Sequence, residues 1–290
     1  MSLLEKISDR PLCADGGINS ALRDRGILPT FCAAELCICR PEIISEIHAS
    51  YLNAGARILR TNSLGANPVQ LARQGMEDRV NEINWQASQL ARQAAKNSGA
   101  EVAGRVGPLG ISASEALATG IDREECLSVQ IGALLDGGAT LIWFEGFHDS
   151  EELLLALNAK HALHHCPAIC SLAVPEPPSP RESESASFVK SFQALLDHDA
   201  EILGLDGDDT AKILLLTRKL STTFSTTGGE TPLAILSGSN DTPEQFASFG
   251  LQLAAAGARI LGGTDCPPTH IAALSSALTD HFDATSLPPL

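Results

Sequence analysis

Short apolar runs alternate with longer segments of helical spacing along most of the chain. In the helical segments apolar residues recur every three or four positions, as Ile83, Ala87, Leu90 and Ala94 do. The apolar runs are short and end in glycine or in a polar residue, which is typical of buried parallel strands. They predict strands at residues 12–14, 57–61, 102–106, 140–144, 167–174, 202–205, 233–236 and 260–261.

A segment of helical spacing follows each of these runs. The predicted helices cover residues 41–52, 80–96, 124–135, 151–163, 188–196, 211–220, 243–256 and 269–278. Strands that alternate with helices pair in parallel, because each helix carries the chain back to the same end of the sheet. Eight such units at this length most economically close into a (β/α)₈ TIM barrel, so we predict an α/β fold with one barrel domain over residues 1–290.

An internal repeat supports the barrel over an open doubly wound sheet. Ala54-Gly55-Ala56-Arg57 at the start of strand 2 returns unchanged as Ala256-Gly257-Ala258-Arg259 just before strand 8. Weaker copies include strands 4 and 6, at residues 138–145 and 199–206. The similar units thus fall on every second strand, as they would in a barrel built from paired units.

Composition narrows the classes of partner. The chain has 290 residues, 44% of them apolar, which is enough for a large core. A net charge of −15 and a pI near 4.9 argue against nucleic acid and anionic membranes, both of which reward basic surfaces. No apolar stretch reaches the roughly 18 residues of a membrane span, and the N-terminus lacks a signal-peptide pattern. We therefore expect a cytoplasmic protein with reduced cysteines and a small-molecule substrate, and leave a homo-oligomer open.

Acidic residues follow several of the predicted strands. In a TIM barrel the carboxyl ends of the strands and the loops after them form one mouth, where the chemistry takes place. Asp15, Glu145, Asp206 and Asp265 all fall there. Aspartate also caps helices, whereas glutamate is a poor cap. Glu145 therefore reads as an isolated carboxylate at a core edge, costly to bury unless it meets a cation such as a substrate ammonium.

These residues belong to a set of short motifs that resembles the homocysteine S-methyltransferase family. That family includes betaine–homocysteine methyltransferase and the homocysteine domain of cobalamin-dependent methionine synthase. The resemblance runs nearly from end to end of the chain. The motifs are Asp15-Gly16-Gly17, Ala54-Gly55-Ala56-Arg57, Thr61-Asn62, Gly107-Pro108, Phe144-Glu145, Gly257-Ala258-Arg259-Ile260-Leu261-Gly262-Gly263, Pro268 and His270-Ile271.

The resemblance implies a zinc-bearing (β/α)₈ barrel that moves a methyl group onto the sulfur of homocysteine, in methionine biosynthesis. It implies that Asp15, Gly16 and Glu145 hold the amino acid, with Glu145 facing its ammonium group. Asn62, in the motif after strand 2, completes the predicted substrate-binding set.

The chain departs from the family pattern at the zinc ligands. Family members carry an adjacent pair of cysteines after the two glycines of strand 8 and a third cysteine after strand 6. Here Thr264-Asp265 follows the glycines, with Cys266 one position late, and Asp206-Gly207 follows strand 6. Arg105 stands where a small residue is usual. Zinc dependence is therefore expected to be altered or absent, and the metal ligands that remain to be considered are Cys266, Asp265 and Asp206.

Three functions stay open at this stage. The first is methyl transfer to the thiol of a small amino-acid substrate with a degraded or altered zinc site. The second is an oxygen-ligand metal enzyme in which Asp206, Asp265 and Glu145 hold Mg²⁺ or Mn²⁺. The third is a non-catalytic, small-molecule-binding relative. A segment rich in proline, serine and glutamate at residues 175–187 follows strand 5 on the mouth side, as a lid or a loop without fixed structure.

Overall fold

The structure, a computed structural model, describes residues 2–27, 33–175, 182–225, 232–238 and 242–285. All eight predicted strands are present, with ends shifted by a few residues. They are β1 (Leu12–Cys13), β2 (Ile58–Arg60), β3 (Glu101–Val106), β4 (Leu141–Phe147), β5 (Ala168–Ala173), β6 (Ile202–Gly207), β7 (Leu233–Ser237) and β8 (Ala258–Gly263).

The strands form one parallel sheet in the order β1-β8-β7-β6-β5-β4-β3-β2. The two end strands of this order meet through a parallel bridge between Ala14 and Ile58. Around that bridge Arg57 N–H donates to the Cys13 carbonyl at 2.7 Å, and Asp15 N–H donates to the Ile58 carbonyl at 3.1 Å. The sheet therefore closes on itself, and the predicted (β/α)₈ barrel is confirmed.

The helices surround the barrel and include several short ones that the apolar spacing did not indicate. In the described part of the chain no helix combines the length and the apolar character needed to cross a bilayer. Residues 176–181 of the predicted lid lie outside the described residues. The helices are α1 (Leu3–Asp9), α2 (Ile18–Asp24), α3 (Leu36–Cys39), α4 (Pro41–Asn53), α5 (Pro68–Ala72), α6 (Val80–Ala95), α7 (Ala113–Thr119), α8 (Arg123–Asp136), α9 (Ser150–Leu163), α10 (Glu182–Asp197), α11 (Thr210–Ser225), α12 (Pro243–Ala255) and α13 (Pro268–Thr285).

Helix α1 is one of the elements that the sequence reading missed. Ser2 caps it, since its hydroxyl accepts from Glu5 N–H at 3.3 Å while the Glu5 carboxylate accepts from Ser2 N–H at 2.7 Å. Leu3 and Ile7 of this helix are buried in the same cluster as the barrel interior. This cluster also contains residues at the starts of the strands, so α1 closes the amino end of the barrel, opposite the mouth.

Two apolar layers separate the inside of the barrel from the outside. The inner cluster takes alternate strand residues, among them Ile58, Ala103, Leu141 and Trp143, whereas the outer cluster packs the other strand faces against the helices. Because strand side chains alternate, the residues two positions after these inner ones also point inward. The inner layer is therefore apolar at the amino end and becomes charged towards the mouth.

Two of the strands extend far enough past their apolar runs to include an acidic residue. β4 continues to Phe147 and β6 to Gly207, so Glu145 and Asp206 lie within strands and not in the loops after them. Asp206 is therefore not a helix cap, which corrects one interpretation of this residue. The strand pairing holds both carboxyl groups inside the barrel wall, just below the mouth.

Candidate active site at the mouth of the barrel

Arg60, the last residue of β2, is the centre of the site. Arg60 is 1% exposed, and every nitrogen of its guanidinium donates a hydrogen bond. Nε donates to Asp15 Oδ1 and Nη1 to Glu145 Oε2, both at 2.8 Å. Nη2 donates to the carbonyl oxygens of Asp15 at 3.0 Å and Gly263 at 2.5 Å. The guanidinium carbon lies 5.5 Å from the ring centroid of Trp143. Arg60 thus connects four of the eight strands or the turns that follow them.

Asp15 stands directly after β1 and is fully buried. Oδ2 accepts from the Arg60 backbone N–H at 2.7 Å, while Oδ1 accepts from Gly17 N–H at 3.2 Å as well as from the Arg60 side chain. Gly17 has a φ of +83°, a region that glycine enters without strain. Both carboxylate oxygens of Asp15 therefore already have donors from the chain itself.

Glu145 is held from two sides. Besides Arg60, it receives two hydrogen bonds from Arg105 on β3, one from Nε to Oε2 at 2.7 Å and one from Nη2 to Oε1. The two parallel bonds make a two-pronged pair, the strongest geometry between arginine and a carboxylate. The expectation that Glu145 is an isolated carboxylate waiting for a cation is therefore wrong, because two guanidinium groups already neutralise it.

The four side chains form a buried network of two anions and two cations. Burial by itself would raise the pKa of Glu145, but Arg105 and Arg60 hold it below its usual value. Burial also lowers the pKa of Arg60, and the carboxylates of Glu145 and Asp15 more than offset that, so its net shift is upward. Counted as formal charges, the two carboxylates and the two guanidinium groups cancel.

Asp206 is the fifth ionisable group of this region and differs from the others. It is 6% exposed, and within the described ranges its carboxylate accepts one hydrogen bond, from Gly146 N–H at 3.5 Å. Burial, followed by the nearby charge of Glu145, raises the pKa of Asp206 to about 7. The carboxyl is therefore partly protonated at neutral pH, and a proton can be gained or lost there in the physiological range.

Replacing Asp206 by asparagine is expected to change how stability depends on pH. The folded-state pKa lies above the unfolded value, so the stability that this group contributes is present at low pH and is lost as the pH rises through about 7. The unfolded carboxyl ionises near pH 3.9, so part of this stability is already lost at pH 5. The stability advantage of Asp206→Asn over the parent should therefore be larger at pH 8 than at pH 5, by on the order of 3 kcal/mol, since one pKa unit is worth about 1.4 kcal/mol. Urea unfolding at both pH values measures this. A difference that is the same at pH 5 and pH 8 would contradict it.

Cys266 and Asp265 point to different partners. The Cys266 thiol is fully buried beside the backbones of Gly16 and Gly263, and burial raises its pKa to about 12. The Asp265 carboxylate forms an ion pair with Arg23 of α2 at the rim of the mouth. The structure therefore brings Asp15, Glu145 and Asp206 together and leaves Asp265 apart.

Two predicted substrate-binding residues have structural partners. Gly16 accepts a hydrogen bond from Cys266 N–H at 2.8 Å, and a side chain on Gly16 would overlap the Cys266 carbonyl. The Tyr51 hydroxyl lies 2.7 Å from the carbonyl oxygens of Gly17 and Cys266 and fixes the same two turns to each other. The Asn62 amide donates to the Ala33 carbonyl at 2.7 Å. The substrate-binding roles of Gly16 and Asn62 stay predictions.

Sequence reasoning missed Arg60 and did not see the role of Arg105. Both carry a simple signal, since each lies two residues after an inward-facing residue, Ile58 in β2 and Ala103 in β3. Applying the two-residue period of a strand to these runs would have pointed both arginines into the barrel. What it would not have shown is which carboxylates they meet.

Comparison with known proteins identifies the family. The family model described as homocysteine S-methyltransferase matches residues 12–278, most of the 290 residues. The chain belongs to the homocysteine S-methyltransferase family. The matched range contains every strand of the barrel and every residue of the charged network. The sequence-based assignment to this family is therefore confirmed.

Individual proteins of this kind are also similar to the chain in sequence and structure. The homocysteine methyltransferase MmuM from Escherichia coli, in its oxidized form, is 25% identical with a TM-score of 0.79, over 95% of this chain and 98% of that one. Its metallated form gives a TM-score of 0.76 at 25% identity, over 94% and 98%. Methionine synthase from Mycobacterium tuberculosis is 27% identical over 189 residues, 59% of this chain. That match covers only 16% of the synthase.

The residues at the mouth do not fit the zinc that is typical of this family. Zinc needs deprotonated ligands, and three thiolates or imidazoles in tetrahedral reach make a stable site. Here the Cys266 thiol is buried with a raised pKa, and Asp265 is paired with Arg23. Within the described ranges no three or more His, Cys, Asp or Glu side chains are grouped so that they could hold a metal. The Cys266, Asp265 and Asp206 set therefore remains a prediction without supporting geometry.

The oxygen-ligand metal enzyme meets the same obstacle. Both oxygens of Glu145 accept from arginines, and the Asp265 side chain is turned towards Arg23. A divalent cation among Asp206, Asp265 and Glu145 would have to displace these cations first. The arrangement at the mouth therefore does not favour that function.

Proposed function

We propose that this protein binds a small, homocysteine-like thiol at the mouth of its barrel and transfers a methyl group to the sulfur, with a zinc site so altered that it no longer ionises the thiol. One observation carries the proposal. Asp15 and Glu145 converge below the mouth, fixed by Arg60, inside a barrel whose sequence matches the homocysteine S-methyltransferase model. The site is thus ordered and charged where a family member would bind its ligand.

The chemistry that remains is attack by a thiolate on an activated methyl group. The sulfur forms a bond to the methyl carbon while the bond between that carbon and the donor sulfonium or ammonium breaks. The thiolate is the nucleophile, and an unperturbed thiol with a pKa of about 8.5 is only a few per cent ionised at pH 7. Without a metal to ionise the thiol, that small fraction limits the rate.

We therefore predict very weak methylation of homocysteine from S-methylmethionine or betaine at pH 7. The rate should rise with pH as the free thiol ionises, up to about pH 8.5. Cys266→Ala should change this residual rate little, because the buried thiol with its raised pKa takes no part in ionising the substrate. Methionine formation measured from pH 6.5 to 9, together with elemental analysis of the purified protein, tests both points.

The outcomes separate the alternatives. Near-stoichiometric zinc and robust turnover at pH 7 that Cys266→Ala abolishes would show a rearranged zinc site that still works. That result would refute the proposal that the zinc site no longer ionises the thiol. Ligand binding without turnover at any pH would identify the non-catalytic relative.

A further inference from the structure

The side chain of Arg105 has one nitrogen, Nη1, that no described residue accepts from. Nε and Nη2 donate to the two oxygens of Glu145. Among the described residues none accepts from Nη1, and Nη1 is not among the buried nitrogens that lack a partner. It therefore reaches accessible space while Arg105 as a whole is 8% exposed. The mouth thus presents a fixed, positively charged donor.

The nearby carboxylates, in contrast, are occupied. Glu145 receives three hydrogen bonds from Arg60 and Arg105, and Asp15 receives its own from Arg60 and Gly17. The two anions are balanced by the two guanidinium groups. A ligand ammonium at Glu145 would be a third cation beside two others, and it would have to displace one arm of a two-pronged pair.

The group left for a ligand to meet is therefore a hydrogen-bond donor, Arg105 Nη1. A ligand carboxylate can accept from Arg105 Nη1 without breaking any bond of the network. It also places its charge beside a guanidinium in a partly desolvated position, where hydrogen bonds to charged groups are strong.

We propose that the mouth selects a small thiol-bearing carboxylic acid that lacks an α-amino group, and that Arg105 determines this choice. The inference rests on the proposed function for the thiol and goes beyond it in the rest of the ligand. The Arg105 guanidinium stands in for the ammonium of an amino acid, because it fills the position beside Glu145 that an ammonium would need.

Titration calorimetry with two thiols tests the choice. L-homocysteine and 4-mercaptobutanoate differ only in the amino group, and both are kept reduced at pH 7.5. The parent protein should bind 4-mercaptobutanoate at least tenfold more tightly. Equal affinities, or tighter binding of homocysteine, would overturn the inference.

Replacing Arg105 by alanine should change the affinities for the two thiols in opposite directions, which gives a second test. Arg105→Ala frees Glu145 Oε1 and should raise the affinity for homocysteine about tenfold while lowering that for 4-mercaptobutanoate about tenfold. Arg105→Lys keeps the positive charge but not the fork, so it should weaken 4-mercaptobutanoate without gaining homocysteine. Arg79→Ala, which removes an exposed arginine paired with Glu82, is the matched control and should change neither affinity. Circular dichroism melts confirm that each variant folds. If a folded Arg105→Ala variant keeps the parent's ratio of affinities for 4-mercaptobutanoate and homocysteine, the role of Arg105 is refuted.

A third ligand separates this inference from the proposed function. Butanoate has the carboxylate without the sulfur. If butanoate binds as well as 4-mercaptobutanoate, the carboxylate choice stands and the thiol ligand of the proposed function fails. If homocysteine binds best, the proposed function stands and the carboxylate choice fails. If none of the three binds, both fail.

Discussion

Replacing Arg60 by alanine should lower the free energy of unfolding by about 3–5 kcal/mol, the usual cost of removing one partner from a buried ion pair. Arg60 is the common partner of Asp15 and Glu145, and its removal leaves Asp15 without any charged donor in the described structure. The loss also opens the contact with the Gly263 carbonyl, so β8 is less firmly attached to β2. Urea unfolding followed by circular dichroism measures the change at pH 7.

The pH dependence of this effect distinguishes lost charge pairing from lost packing. In the parent, the pKa of Glu145 is held below its unfolded value of about 4.3, so its contribution is present above that pH and is lost as the pH falls further. In Arg60→Ala, Asp15 is buried without its counter-ion, and protonation relieves the cost. The difference in the free energy of unfolding between parent and variant should therefore become smaller from pH 7 to pH 4. A gap of constant size would assign the effect to packing alone. Arg79→Ala, at an exposed pair, should leave stability essentially unchanged.

Replacing Glu145 by glutamine should also destabilise the fold, by about 3 kcal/mol. If Glu145 were the isolated carboxylate that its sequence context indicates, this change would affect ligand binding and leave the fold intact. The structure corrects that, because Glu145→Gln leaves two guanidinium groups facing one neutral amide that can accept through only one oxygen. The expected loss is at the lower end of the range for buried pairs, since Arg105 is close enough to the mouth to turn towards water.

Thermal and urea unfolding of Glu145→Gln, beside Glu82→Gln as an exposed control, measure this loss. Further replacement of Arg105 should recover part of it. The double variant Glu145→Gln with Arg105→Gln no longer holds an unbalanced cation at that position, so the two changes should be less than additive. Full additivity would show that Glu145 and Arg105 act independently, against the pairing described above.

The amino-acid sequence by itself determined the barrel and the family. Short continuous apolar runs, separated by segments with a period of 3.6 residues, record which parts of the chain are buried, and burial is the main term in the choice of fold. That is why all eight strands were predicted within a few residues of their positions. The motifs around Asp15 and Glu145 likewise identified the family, because the turns at the mouth need particular residues such as Gly17 at a positive φ.

Only the tertiary structure decided how the charges at the mouth are paired. Arg60 meets Asp15 across 45 positions and Glu145 across 85, and Arg23 meets Asp265 across 242. Periodicity gives the face of a strand on which a side chain lies, but not which side chain comes towards it from another strand. The state of a buried carboxylate depends on that partner, since desolvation and a neighbouring cation shift its pKa in opposite directions. Glu145 therefore looked like a free anion in the sequence and is a neutralised one in the fold.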